Sequence, residues 1–475
     1  MSAPPPQNWK NRTLWTGDCL DIMRGMNSAS VDLIYLDPPF NSNANYAAPI
    51  GSQAAGAEFK DTWTLTDIDV EWINLIESKH PALYRVLLAT LTKSDKSYLV
   101  YMAARILEMK RLLKPTGSIY LHCDPTMSHY LKLVLDAIFG RRSFKNEIVW
   151  KRTSAHSDAR RYARVSDRLL FYALDGATWH TQYLSLGKEY VSRDYRHTDR
   201  LGRYRVGDLT GPGMSDGESG NPWEGYDPGS SGRCWSVPKT GSYAAWLDTN
   251  LIPGYAQIEG VHARLDALSE AGLIDWTSKG YPRLKRYLAA SKGEAASDFL
   301  ADIPNINNRS KEKLGYPTQK PAALLKRILR ASSNEGDVVL DPFCGCATTC
   351  VVADALDRQW AGIDISPKAA ELVRSRIDDM TRNIVHRNDI PKRTDLGKLP
   401  PYNCKANRVR LYGEQGGDCN GCGTHFEPQH FEVDHIIAEA NGGTDHLENL
   451  QLLCSHCNRV KGDRGMEYLK TKLQL

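Results

Sequence analysis

The chain has 475 residues, of which 41% are hydrophobic, and this is enough material for two or three domains with apolar cores. Its 60 basic and 56 acidic residues give a formal net charge of +4, which is too small to indicate nucleic-acid binding by itself. No apolar stretch is long enough to span a membrane and residues 1–6 do not have the pattern of a signal peptide, so we expect a soluble, cytoplasmic protein.

The first stretch with a chemical signal is Val31–Leu36, a mainly apolar run that predicts a buried strand because two prolines follow it closely. Asp37 then lies at the carboxyl end of a strand, where ligands bind in open α/β sheets. Its carboxylate and the Pro38 carbonyl are acceptors for the two N–H groups of an amine on a flat heterocycle, and Phe40 offers a ring for stacking. Neither Pro38 nor Pro39 has an N–H group that competes. A proline turn after a core strand is the alternative.

The next part of the chain predicts alternating helices and strands. Helical periodicity at residues 98–113 and 127–139 is followed by strand patterns at 118–121 and 146–150. This succession predicts a doubly wound α/β sheet.

From about residue 175 to residue 308 the periodicity is weak, and tryptophans, tyrosines and arginines are dense. Basic residues also concentrate at 151–168 and 193–205, as they do on surfaces that contact phosphates. The composition favours an insertion that stacks on bases and binds phosphates. A small domain with an aromatic core and a solvated basic face is the alternative.

Residues 338–364 return to an α/β pattern. A strand, a turn of small residues beginning at Asp341, a helix, a second strand and Asp364 follow one another, as in the first half of a nucleotide-binding unit. Gly345 and Ala347 would let the backbone approach a ligand closely. Asp364 would accept hydrogen bonds from two ribose hydroxyls.

The motifs at residues 37–40 and 341–349, together with Tyr-Pro-Thr-Gln-Lys-Pro at 316–321, resemble those of amino-specific DNA methyltransferases of the adenine-N6 and cytosine-N4 type. Their order along the chain is that of the permuted class, in which the catalytic motif precedes the cofactor motif. The resemblance implies a Rossmann-like sheet made of a catalytic half at 10–174 and a cofactor half at 309–385. Residues 175–308 would form an inserted target-recognition region.

By this resemblance the cofactor is S-adenosylmethionine, the partner is double-stranded DNA, and the target base is flipped into the Asp37 pocket. The implied catalytic residues are Asp37, Pro38, Pro39 and Phe40. The implied cofactor-binding residues are Asp18, Thr318, Lys320, Asp341, Phe343, Gly345 and Asp364. An acid at position 37, where cytosine-N4 enzymes commonly have serine, favours adenine. The family usually has glycine where this chain has Ala347.

Residues 386–403 are charged and proline-punctuated, which predicts a linker to a small domain at 404–475. Eleven cysteines, an odd number, argue against a disulfide framework. Four of them form two Cys-x-x-Cys pairs and predict a structural Zn²⁺ site: Cys419, Cys422, Cys454 and Cys457. Reduced cysteines that fill a small core are the alternative.

The segment between these pairs resembles the HNH nucleases, which have a ββα-metal motif. The likeness implies that His435 is the general base, that Asp434 and Asn458 hold Mg²⁺ or Mn²⁺, and that Asn449 orients the histidine loop. The motif is named for a histidine where this chain has Asn458.

Together the two resemblances predict a bifunctional enzyme, and a single-chain restriction-modification protein is one form of it. One alternative is an orphan methyltransferase for adenine N6 or cytosine N4 whose HNH-like tail only binds DNA. A second alternative is a DNA-binding protein with two vestigial sites, against which the intact sets around Asp37 and Asp364 argue. A homodimer stays open, because a single HNH site cuts only one strand.

Overall fold

The structure is a computed structural model in which two compact units are distinguished, Met1–His180 with Ser297–Leu475, and Thr181–Ala296. No helix in the described part of the chain is long and apolar enough to cross a membrane. The residues that the structure describes are 7–41, 44–47, 58–61, 73, 76–77, 79–155, 162–307, 309–316, 318–377, 383–395, 401–436, 438–439 and 445–473.

The first part of the larger unit alternates strands and helices. Its elements are β1 (Thr13–Thr16), α1 (Cys19–Gly25), β2 (Val31–Leu36), β3 (Ala44–Ala47), β4 (Glu58–Asp61), α2 (Pro81–Leu88), α3 (Lys93–Leu112), β5 (Leu113–Cys123), α4 (Ser128–Phe139), β6 (Phe144–Lys151) and β7 (Ser166–Ala173). Helix α3 begins earlier than predicted because the Thr92 side chain caps it, accepting a hydrogen bond from the Asp95 N–H at 3.0 Å.

The smaller unit consists of short elements. They are β8 (Tyr183–Leu184), α5 (Lys188–Asp194), β9 (His197–Asp199), β10 (Gly202–Asp208), β11 (Thr210–Pro212), β12 (Arg233–Trp235), α6 (Gly241–Asn250), α7 (Val261–Glu270), β13 (Ile274–Trp276), β14 (Pro282–Tyr287) and β15 (Glu294–Ala295). Its core contains several of the aromatic residues noted in the sequence, among them Trp223, Trp235 and Tyr255. Those residues therefore build the unit. Its role in target recognition and the domain boundaries stay predictions.

The chain then completes the larger unit. The remaining elements are β16 (Phe299–Leu300), α8 (Ala322–Ser332), β17 (Val338–Asp341), α9 (Thr348–Ala355), β18 (Gln359–Asp364), α10 (Pro367–Ile377), β19 (Val385–Arg387), α11 (Lys405–Glu414), β20 (Phe431–His435), β21 (Leu450–Cys454), α12 (Ser455–Lys461) and α13 (Met466–Leu473).

Nine strands among the described residues form one sheet in the order β16-β6-β7-β5-β2-β17-β18-β1-β19. The six strands from β5 to β19 in this order are parallel, and β7 is antiparallel to both of its neighbours. Thr16 pairs with Asp364 and Leu340 pairs with Ile34, so β1, β18, β17 and β2 end at the same edge. The α/β fold is confirmed, and this edge is where ligands bind in such sheets.

Helices cover both faces of the sheet. In β2, Ile34 and Leu36 pack into the core formed with α1, α3 and α4, whereas Leu33 and Tyr35 pack into the core formed with α8, α9 and α10. Because successive residues of a strand point to opposite faces, a strand buried on both sides is apolar throughout. This explains why residues 33–36 of β2 form a continuous apolar run rather than an alternating pattern.

The predicted linker is partly packed. Strand β19 pairs with β1 at the edge of the sheet. Beyond it, Asn8 Nδ2 donates to the Lys392 carbonyl at 2.7 Å, and the Ser28 N–H donates to Asp395 Oδ2 at 2.9 Å. Residues of the predicted linker therefore make backbone and side-chain contacts with the sheet domain up to residue 395. Residues 396–400 lie outside the described part of the chain.

Candidate functional site

Asp37 follows β2 directly, at the edge where the four parallel strands end. Its Oδ2 lies 2.5 Å from Lys320 Nζ, and its Oδ1 is buried with no hydrogen-bond partner among the described residues. A buried acceptor without a donor costs about 1–3 kcal/mol, so Oδ1 is an acceptor suited to an N–H group of a ligand. Pro38 is buried and Pro39 is half-buried. Neither can supply that donor, because proline has no N–H group.

Lys320 lies beside the Asp37 motif. Its ammonium donates to the Thr318 carbonyl at 3.1 Å and lies 5.3 Å from the centre of the Phe40 ring. Thr318 is exposed and has a positive φ of 60°. Lys320 thus contacts both the carboxylate and the ring that the sequence assigns to the target base.

The Phe40 ring stacks on His122, which was not predicted as a site residue. The ring centres are 5.9 Å apart and the planes differ by 22°. His122 is fully buried, and its two nitrogens lie 2.9 Å from Tyr35 Oη and 3.3 Å from Asp167 Oδ2. The only sequence signal is position, since His122 directly follows the predicted strand 118–121.

Two further carboxylates lie at the ends of β17 and β18. Asp341 Oδ1 accepts a hydrogen bond from the Phe343 N–H at 3.1 Å, and burial raises the pKa of Asp341 to about 7. Asp364 Oδ2 accepts from the Gly345 N–H at 2.7 Å, and its Oδ1 accepts from the Ser366 N–H at 2.8 Å. Burial also raises the pKa of Asp364. Each oxygen of Asp364 has one backbone donor and one lone pair left for another.

The turn between β17 and α9 needs unusual backbone angles. Gly345 has φ +50°, and a Cβ built on it would come within 2.9 Å of the Tyr316 ring. Ala347 has φ 51° and ψ 41°, the left-handed conformation that glycine adopts most easily. This geometry explains why the resemblance leads us to expect glycine at position 347. The tight turn brings backbone N–H groups to the sheet edge.

Asp18 caps α1 and is held by a buried arginine. Its Oδ1 accepts from the Leu20 N–H at 2.7 Å, and Arg105 Nη2 lies 2.8 Å and 2.6 Å from its two oxygens. The guanidinium of Arg105 lies 3.3 Å from the centre of the Tyr101 ring, which in turn contacts the Phe343 ring. Neither Arg105 nor Tyr101 was predicted, although an arginine on the buried side of a helix was an available signal.

The four cysteines of the tail form a compact cluster. Their sulfur atoms all lie within 4.8 Å of one another. The backbone N–H of Cys454 points to Cys419 Sγ at 3.2 Å, and a Cβ built on Gly421 would meet Cys457 Sγ at 2.9 Å. Four sulfurs that converge in this way fit a tetrahedral metal site.

His435 ends β20. Its Nε2 lies 2.8 Å from Asp445 Oδ1, and its ring packs on Tyr402 with centres 4.6 Å apart. The carbonyl of Asn449 accepts from the Ile436 N–H at 2.7 Å, so Asn449 contacts the segment that follows the histidine. Asp445 and Tyr402 were not predicted from the sequence.

Asp434 and Asn458, predicted to share a cation, have different protein partners. Asp434 Oδ2 accepts from Gln451 Nε2 at 2.9 Å and lies 3.1 Å from Lys461 Nζ. Asn458 Nδ2 donates to Glu432 Oε2. The fully buried Lys461 thus holds its ammonium against the same Asp434 oxygen that accepts from Gln451.

Comparison with known protein families gives two matches. The DNA methylase family for adenine N6 and cytosine N4 matches residues 31–375, more than half of the chain. The HNH endonuclease family matches residues 419–464, which contain both cysteine pairs and His435.

Three curated proteins illustrate the range of relatives. The type II methyltransferase M.EcaI of Enterobacter cloacae is 28% identical over 369 residues, covering 77% of this chain and 69% of the relative. The Mod subunit of the type III restriction-modification enzyme StyLTI of Salmonella typhimurium is 27% identical over 365 residues, covering 73% and 50%. The DNA adenine methyltransferase YhdJ of Escherichia coli is 48% identical over 77 residues, covering 16% and 26%.

Proposed function

Since the chain belongs to the DNA methylase family for adenine N6 and cytosine N4 and carries a C-terminal HNH endonuclease domain, we propose that it methylates adenine N6 in double-stranded DNA and that its tail cuts DNA. The observation that carries the first half is the buried Asp37 Oδ1 at the sheet edge, an acceptor that lacks a donor among the described residues. An exocyclic amino group supplies such a donor.

In this proposal the target base leaves the DNA duplex and enters the Asp37 pocket, because a carboxylate at a sheet edge cannot reach the amino group of a base that is still stacked and paired in the duplex. Asp37 Oδ1 and the Pro38 carbonyl accept the two amine hydrogens, and the base stacks on Phe40. Lys320 must move from Asp37 and Phe40 as the base enters. These contacts orient the nitrogen, and orientation of this kind supplies a large part of catalysis.

S-adenosylmethionine, when bound, would supply the methyl group from its sulfonium sulfur. The turn at 341–347 and Asp364 suit such a ligand, because they combine close backbone approach with acceptors for ribose hydroxyls. Phe343 and Asp18 lie at the same sheet edge. The permuted order, with the Asp37 segment before the cofactor segment, is part of this proposal.

The choice of adenine over cytosine depends on the acid at position 37 and on the local similarity to a DNA adenine methyltransferase. We would incubate the purified protein with genomic DNA and S-adenosylmethionine and map the modified bases. N6-methyladenine within one short sequence is the expected result. N4-methylcytosine would replace this proposal with the cytosine alternative.

For the tail we propose that His435 activates water and that Asp434 and Asn458 bind Mg²⁺ or Mn²⁺, while Asn449 steadies the histidine loop. The four cysteines would hold Zn²⁺ for folding only, since such a site is coordinatively closed. Lys461 must yield its place beside Asp434 to the cation. Mild chelation should therefore stop cleavage and spare methylation, and added Mg²⁺ or Mn²⁺ should restore cleavage.

The contact between Lys461 and Asp434 favours one alternative, a tail that binds DNA without cutting it. A supercoiled plasmid that carries the mapped site distinguishes the two functions. Nicked plasmid in the presence of Mg²⁺ supports a nuclease, and linear plasmid would indicate that two chains act together as a homodimer. Plasmid that stays supercoiled, methylated or not, would favour the binding function. Cleavage controlled by methylation would make this a single-chain restriction-modification enzyme.

A further inference from the structure

We propose that His122 is a positioning residue for methyl transfer. It fixes the Phe40 ring and the end of β2, so that the flipped base can stack on Phe40 and donate to Asp37 at the same time. The juxtaposition that carries this is a fully buried imidazole stacked on Phe40 and hydrogen-bonded to Tyr35, two residues before Asp37. The inference rests on the proposed role of Phe40.

The hydrogen bonds of His122 define one orientation of its ring. Burial lowers the pKa of His122, and the nearby Lys320 ammonium lowers it further, which favours the neutral imidazole. A neutral imidazole has one donor and one acceptor nitrogen. Nε2–H donates to the Asp167 carboxylate, so Nδ1 accepts from the Tyr35 hydroxyl. Rotation of the ring by half a turn would break both bonds.

Asp167 holds the other side of this network. Although burial raises the pKa of Asp167, the hydrogen bond from His122 and the charges of Arg152 and Lys320 lower it below its usual range. Arg152 Nε lies 3.1 Å from Asp167 Oδ1. The carboxylate is therefore a charged, fixed acceptor, and such an acceptor strengthens the bond to His122.

Trp150 closes a further side of the imidazole. Its ring meets His122 edge-on with centres 5.8 Å apart, and its Nε1 donates to the Ile303 carbonyl at 2.8 Å. His122 is thus fixed by groups on β2, β6 and β7 and presents one face to Phe40. An apolar residue could fill the same volume, but it would leave Tyr35 and Asp167 without their shared partner at the cost of buried, unpaired polar groups.

The test uses His122→Phe, which keeps a ring against Phe40 but loses both hydrogen bonds, and His122→Leu, which loses the stacked ring as well. The matched control is Tyr120→Phe on the same strand, which removes the buried bond from Tyr120 to Ser332 at 2.7 Å. Phe40→Ala reports the effect of losing the stacking surface itself. All four variants are made in the full chain.

The measurements are kcat and KM for DNA containing the mapped site, the Kd for S-adenosylmethionine, and the fluorescence of 2-aminopurine at the target position, which reports a base that has left the stack. We expect His122→Leu to lose about tenfold to a hundredfold in kcat/KM for DNA, with a weaker fluorescence change and an unchanged cofactor Kd. His122→Phe should fall between His122→Leu and wild type, and Tyr120→Phe should stay within about twofold of wild type.

If both His122 variants match Tyr120→Phe while Phe40→Ala loses activity, the positioning role is wrong and the proposed function survives. If Phe40→Ala itself keeps wild-type kcat/KM, the stacking role in the proposed function fails. If His122→Leu does not fold, His122→Phe decides, because it conserves the ring. Loss of cofactor affinity in step with activity would also overturn the inference, since it indicates general damage to the sheet edge.

Discussion

The two proposed centres of the chain both have a buried lysine beside a carboxylate, but they differ in the carboxylate oxygen that remains without a partner. At the sheet edge, Lys320 contacts one oxygen of Asp37 at 2.5 Å and leaves the other without a partner among the described residues. In the tail, Lys461 lies 3.1 Å from the same oxygen of Asp434 that accepts from Gln451. Each of these two carboxylates thus has a buried lysine beside it, but of the two only Asp37 has a buried oxygen without a partner among the described residues.

This difference matches the chemistry proposed for each centre. An amine that is already a nucleophile needs acceptors and orientation, and one uncommitted carboxylate oxygen provides both. Hydrolysis of a phosphodiester needs a cation to neutralise developing charge, so a carboxylate already paired with an ammonium must exchange one cation for another. The Asp37 centre therefore already has the acceptor that its proposed reaction needs, whereas the Asp434 centre must first exchange an ammonium for a metal cation.

The largest effect that tests this comparison is expected for His435→Ala. Loss of a general base should reduce DNA cleavage by about 10²–10⁴-fold and leave methylation unchanged. His425→Ala is the matched control, because His425 is an exposed tail histidine paired with Asp418. Nicking of supercoiled plasmid in Mg²⁺ measures the effect. Equal nicking by the His435 and His425 variants would remove His435 from the mechanism.

Asp37→Ala should reduce methylation by about 10²–10³-fold, since it deletes the acceptor that orients the amine, while cofactor affinity stays close to wild type. Asp389→Ala, which removes an exposed acid paired with Arg387, is the control. Incorporation of a radiolabelled methyl group measures turnover, and calorimetry measures the cofactor Kd. Turnover like that of Asp389→Ala would end the catalytic assignment of Asp37.

For Asp364→Ala we expect a smaller effect than for Asp37→Ala, and we expect it on cofactor affinity rather than on turnover. It removes hydroxyl acceptors and the bond to the Gly345 N–H, so the Kd for S-adenosylmethionine should rise about tenfold to a hundredfold. The value of kcat at saturating cofactor should change little, because the lost contact is a ground-state contact. Calorimetry that returned a wild-type Kd would contradict this role.

The smallest effect is expected for Ala347→Gly. An alanine at φ 51° costs the folded state about 1–2 kcal/mol in conformational energy, which glycine relieves. Glycine also increases the entropy of the unfolded chain, and this lowers the free energy of unfolding by about 0.4–1 kcal/mol. We expect a gain of about 1 kcal/mol or less, measured as a slightly higher Tm. A lower Tm would mean that the alanine methyl packs in a way that outweighs the strain.

Much of the sheet could be predicted from sequence because its strands are short apolar runs ended by turn residues. The strand before Asp37 and the strand, turn and helix around Gly345 are each specified by residues close together in sequence. Local sequence patterns can therefore predict them. The start of α3 was misplaced because a single cap at Thr92 set it. The segment after β19 was predicted as a linker from its charged, proline-punctuated composition, because its contacts with Asn8 and Ser28 are far away in sequence and leave no local pattern.

The partners of the site residues were harder to predict for the same reason. Asp37 and Lys320 are 283 positions apart, and the network of His122 joins β2, β5 and β7. No spacing rule links such residues. In the tail, Lys461 looks like an ordinary basic residue at the end of a short helix, and only the fold reveals that its ammonium is buried against Asp434.

We propose that the Asp37 pocket methylates adenine N6. The most direct measurement is mass spectrometry of nucleosides from DNA treated with S-adenosylmethionine that carries a deuterated methyl group. We predict deuterated N6-methyladenine with the wild-type protein and none above background with Asp37→Ala. Deuterium found only in N4-methylcytosine, or equal labelling of adenine by the Asp37 variant, would contradict the claim.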